Sequence, residues 1–133
     1  MHSLDAVPAI RRIETDRADL LAIDVVGSVS PADAENLFGL LEAAYALHRK
    51  IDVLVRLVDY KEMDWSGLSG QTLENGKAQA LEHVQRCATI GEPDWTGHVK
   101  GIFTRIPVDL RYFDTGNERE AWNWLGAMPR DLG

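Results

Sequence analysis

The run Ile51 to Tyr60, IDVLVRLVDY, constrains the fold more than any other stretch. Only Asp52, Arg56 and Asp59 interrupt its apolar residues. A strand this apolar is buried on both faces, which requires a sheet covered by helices. The segment before it supplies one. Ser30 is a good N-cap, Pro31 fits the first helical position, and Asp33 follows three residues on in a near capping box. Leu37, Leu40, Leu41, Ala44 and Leu47 then recur at helical spacing, with Asp33, Glu35, Glu42 and Arg49 on the other side.

The rest of the chain fits round this unit. Residues 8 to 14 (PAIRRIE) and 18 to 27 (containing LLAIDVVG) read as a hairpin joined by Thr15-Asp16-Arg17, with Gly27 ending the second strand. Residues 65 to 84 must be helical if the next strand, 85 to 91, is to lie parallel. They carry Gly67, Gly70 and Gly76, and the apolar positions Leu73, Ala80, Leu81 and Val84 are sparse at the front. Each interior glycine costs about 0.5 to 1 kcal/mol against alanine, so this helix is expected to be the loosest regular element.

Glu92-Pro93-Asp94 breaks the chain. Trp95, Val99, Ile102, Phe103 and Ile106 then form the clearest helical stripe, ended by Pro107. Val108 to Phe113 reads as a last strand, and Asn117 with Glu120 opens a helix through Leu125. The order ββαβαβαβα predicts an α/β fold: a mixed, mostly parallel sheet of about five strands with about four helices. Residues 1–133 form one domain, with 1–6 and 129–133 expected to fray.

Charge and cysteine use narrow the function. A net charge of -7 repels phosphate backbones, which argues against a nucleic-acid partner. The single cysteine, Cys87, allows no internal disulfide, and the N-terminal residues have no signal-peptide core, so a cytoplasmic protein is expected. No apolar stretch approaches the roughly 20 residues that span a bilayer. Membrane contact would be peripheral, at the inner membrane, and driven by apolar surface or a local basic patch.

The motif that raises a functional question is MDWSGLSG, residues 63 to 70. It resembles the hallmark of STAS domains, the fold of sulphate transporter tails and anti-sigma factor antagonists, in which a serine after a central strand is phosphorylated. Asp64, Ser66, Gly67 and Leu68 keep that pattern, while the phosphoacceptor position falls on Trp65, which accepts no phosphate. Ser66 is then either a helix N-cap or a relocated acceptor, with Ser69 as its neighbour.

A wider resemblance covers Ile13 to Leu125. Gly27, the pair Asp59-Tyr60, the Trp65-Ser66 pair, Trp95 after Glu92-Pro93-Asp94, Arg111 to Asp114 (RYFD) and Glu120 to Leu125 (EAWNWL) occur in the order and spacing of the SpoIIAA-like bacterial proteins, a STAS-related group. That resemblance implies a compact α/β sheet with an apolar groove near its two middle helices. It implies binding of an apolar ligand or a membrane, and no enzymatic activity.

Enzyme signatures fail on their own terms. GLSG lacks the second glycine of a nucleophile elbow, since position 71 is Gln. His2, His48, His83 and His98 have no metal-ligand spacing, and no phosphate-cradling glycine loop follows a strand. Neither a metal nor a cofactor is expected. Cys87, in VQRCATI, reads as a small core residue and not a nucleophile. Asp24 and Arg56 are charges inside apolar strands. They either pair across neighbouring strands, where they could hold a ligand headgroup, or lie at an exposed sheet margin.

The expectation is a non-enzymatic binding module for an apolar small molecule or lipid. Trp65, Leu68, Leu73, Trp95, Val99, Ile102 and Phe103 would form the wall, and Lys100 and Arg105 would meet an anionic headgroup. The alternative is a signalling protein that binds a protein partner and is switched by phosphate at Ser66 or Ser69. Apolar helix surface buried in a homodimer is a further option.

Overall fold

The computed structural model describes residues 9–63, 70–92 and 109–129, the side chains at 62, 63, 73, 77 and 81 excepted. Five strands form one sheet in chain order: β1 (Ile10–Ile13), β2 (Leu20–Val29), β3 (Ile51–Met63), β4 (Val84–Ile90) and β5 (Asp109–Phe113). β1 pairs antiparallel with β2, and β2 to β5 run parallel. The apolar run therefore takes the middle position, as its composition requires. Three α-helices lie among the described residues: α1 (Pro31–Leu47), α2 (Gly70–His83) and α3 (Glu118–Leu125), the last preceded by a 3-10 turn at Thr115–Asn117. The helix expected over 94 to 106 lies outside the described residues.

Strand alternation divides the core. On one face Leu21, Ile23, Val25, Val53 and Leu57 meet Leu37, Leu40, Leu41, Ala44 and Tyr45 of α1 and Ala80 of α2. On the other, Leu20, Ala22, Leu54, Ala88 and Ile90 meet Ala121, Trp122 and Leu125 of α3. α1 starts as its sequence dictates: Ser30 Oγ accepts from Asp33 N–H at 3.2 Å, and Asp33 Oδ2 accepts from Ser30 N–H at 3.0 Å. Partial burial opposes ionisation of Asp33. Bonds from the Ser30 N–H, the Ser30 hydroxyl and the Ala9 N–H nevertheless hold its carboxyl below the usual range.

Two details depart from the expected pattern. Leu47 is 78% exposed, and Tyr45 packs in its stead. At about 100° per residue the inward stripe centres between Leu37 and Leu41, which leaves Tyr45 about 60° to one side and Leu47 about 100° to the other. Gly27 does not end β2. It sits at φ +68° where the pairing jumps from Val26↔Val58 to Ser28↔Glu62, and Asp59 takes φ +48° opposite it. One residue of β2 faces three of β3 across this bulge, and β3 continues past Tyr60 to Met63.

Candidate functional site

On the α3 face, Asp24 and Arg56 are partners in register on adjacent strands. Arg56 Nε donates to Asp24 Oδ1 at 2.6 Å and Nη2 to Asp24 Oδ2 at 3.0 Å, while Nη1 donates to Glu118 Oε2 at 2.7 Å. The same Glu118 oxygen accepts from Trp122 Nε1 at 3.0 Å. Bonding to Asp24 first, and to Glu118 as well, raises the Arg56 pKa further despite the desolvation that opposes it. Of the two alternatives for these charges, the structure shows the pair. Its guanidinium is held by two carboxylates through three of its five N–H groups, so the arginine ties α3 to the sheet.

A second cluster holds the other end of α3. Asp52, only 1% exposed, accepts from Arg17 Nη1 at 2.9 Å and from Arg86 Nη2 at 2.6 Å. Arg17 also grips Asp19, whose carboxyl is held below its usual range chiefly by that hydrogen bond. Both guanidiniums then serve the helix C-terminus: Arg17 Nη1 donates to the Leu125 carbonyl at 2.6 Å and Arg86 Nη1 to that of Trp124 at 2.8 Å. The carbonyls of Trp122 and Asn123 accept from Ala127 N–H and Gly126 N–H, with Gly126 at φ +69° closing a Schellman turn. All four terminal acceptors of α3 are thus satisfied, and two cations sit at the negative end of its dipole. Arg86 and Arg111 lie over the Trp124 ring at 5.5 and 4.7 Å from its centroid.

On the opposite face, α1 and α2 flank a cleft of about 180 Å³, lined by Phe38, Leu41, Glu42 and Tyr45 from α1 and by Thr72, Asn75, Gly76 and Gln79 from α2. Gly76 sets how close the helices come, since a Cβ there would stand 3.0 Å from the Phe38 ring. The Tyr45 ring stacks on His83 at 4.6 Å, and its buried hydroxyl has no hydrogen-bond partner among the described residues. Burial pushes the Tyr45 hydroxyl up to about 12. Burial likewise pushes the Cys87 thiol, beneath α1 on β4, up to about 12, so it is a protonated packing group.

Trp65, Ser66, Leu68, Ser69, Trp95, Val99, Lys100, Ile102, Phe103 and Arg105 lie outside the described residues. For Leu73 the backbone is placed, in the first turns of α2, and its side chain is not described. The cleft was not anticipated. Its signal was present in Phe38, Glu42 and Tyr45, which share one side of α1 at i, i+4 and i+7. No described helix is long and apolar enough to cross a membrane. Among the described residues no group of three or more His, Cys, Asp or Glu side chains is placed to hold a metal ion.

The model of the SpoIIAA-like family matches residues 20–126. Among solved structures, an uncharacterized protein with a SpoIIAA-like fold from Shewanella loihica superimposes with a TM-score of 0.65 at 21% identity, covering 90% of this chain and 98% of its own. The chain matches none of the curated proteins.

Proposed function

Because the chain belongs to the SpoIIAA-like family, we propose that it acts as a non-enzymatic binding module that takes an apolar or amphipathic, lipid-like molecule in a groove between the segments starting near Ser66 and Asp94. The wall would be Trp65, Leu68, Leu73, Trp95, Val99, Ile102 and Phe103, with Lys100 and Arg105 for an anionic headgroup. The observation that carries this reading is that three arginines at the sheet are committed to holding the fold. Arg17, Arg56 and Arg86 are bonded to Asp19, Asp24, Asp52, Glu118 and the end of α3. Those side chains hold the fold together, and the Cys87 thiol stays protonated. The proposed recognition therefore draws on apolar surface and on cations other than these three.

Native mass spectrometry of the purified chain, before and after incubation with sodium oleate, tests this. The expected result is a non-covalent adduct that is lost on denaturation and is strongly reduced in Trp65→Ala and Trp95→Ala. A chain that stays bare at saturating oleate would overturn it. A covalent phosphate mapped to Ser66 or Ser69 would transfer the assignment to a switched module that binds a protein partner.

A further inference from the structure

None of the side chains named for the apolar wall is among those that line the cleft between α1 and α2, and the chemistry of the cleft differs. Glu42, Asn75 and Gln79 line it, and among the described residues none of the three has a hydrogen-bond or ion-pair partner. Together they offer a carboxylate and two amide oxygens as acceptors. Glu42 follows Phe38 by four residues and precedes Tyr45 by three, so aromatic rings flank the carboxylate on the same helix. No described lining residue is cationic, and the chain as a whole carries -7.

The Glu42 carboxylate would repel an anion, and a wholly apolar guest would make no use of the carboxylate and the amides. A carboxylate between aromatic faces favours an ammonium group, whose N–H bonds the amide oxygens can take. Leu41 and the two rings offer apolar surface for a short alkyl chain. The volume, about 180 Å³, equals that of roughly six liquid waters at ~30 Å³ each. We infer that this cleft binds a small primary alkylammonium ion, with Glu42 as counter-ion, Asn75 and Gln79 as acceptors, and Phe38 and Tyr45 as walls.

The test is an amide NMR titration of the full chain with n-butylammonium chloride, run beside butan-1-ol as the neutral analogue and sodium chloride as the ionic-strength control. Saturable shifts at residues 38–45 and 72–79 are expected, with butan-1-ol at least about fivefold weaker. Glu42→Gln should weaken amine binding by about fivefold and Gln79→Leu by a smaller factor. Both positions are exposed, so both variants are expected to keep the parent spectrum elsewhere. Equal shifts with butan-1-ol, amine binding unchanged in both variants, or no shift in the cleft would each overturn the assignment.

Discussion

Arg56 of the middle strand and Glu118 of the last helix, 62 residues apart, meet at 2.7 Å, and the oxygen that joins them is the one that accepts from Trp122. One carboxylate thus sets both where α3 begins on the sheet and how its buried indole is oriented. Glu118→Ala is expected to lower stability by about 1 to 2 kcal/mol, a range discounted because both partners are 31% exposed. The emission of Trp122 should shift to the red. Unchanged denaturant midpoint and emission would show that the contact is decorative.

The Asp52 cluster should be far more sensitive. Replacing Asp52 by Ala leaves two guanidiniums beside a buried site that has lost its counter-charge. The expected loss is about 3 kcal/mol or more, read as a fall in urea midpoint. A loss below about 1 kcal/mol would mean that the helix carbonyls, with Asp19 on Arg17, can hold both arginines.

Tyr45 predicts the opposite sign. Its buried hydroxyl has no partner among the described residues, so Tyr45→Phe removes an unsatisfied group and keeps the ring against His83. The variant should unfold at the parent temperature or above it, with a gain of up to about 1 kcal/mol. Clear destabilisation would show that the hydroxyl has a partner in solution.

Cys87 gives the pH dependence. With the thiol pushed up to about 12 in the fold, its thiolate is far scarcer at pH 8 than that of an unfolded thiol near 8.5. Iodoacetamide should label native protein at pH 8 orders of magnitude more slowly than urea-unfolded protein. Because the folded value is raised, the associated stability is present below the unfolded pKa and is lost as the pH climbs from there toward about 12. Native labelling at the unfolded rate would contradict the burial of this sulfur.

Local signals were the legible ones. Ser30, Pro31 and Asp33 announce a helix start because all their partners lie within three residues. The apolar run of β3 announces a middle strand because burial on two faces leaves no room for alternation. Asp24 and Arg56 could be paired on paper only by supposing that their strands were neighbours. Gly27 misled because a glycine at positive φ serves a bulge as well as a strand end. The role of Asp52 was hidden for another reason: Arg17 and Arg86 come from 35 and 34 residues away, and nothing local points to them. The α1–α2 cleft stayed hidden because its lining is shared between two helices about 30 residues apart in the chain, and neither half announces the other.

The agreement between strand order and chain order has a kinetic consequence. Each strand docks on its immediate predecessor, so every pairing step joins strands that are consecutive in the chain, and the sheet can grow outward as the chain leaves the ribosome. The Arg17–Leu125 bond spans 108 residues and cannot form until the last helix arrives. Substitutions in the β2–α1–β3 unit should therefore slow folding, whereas loss of the Asp52 cluster should mainly hasten unfolding, giving the molecule an early nucleus and a late latch.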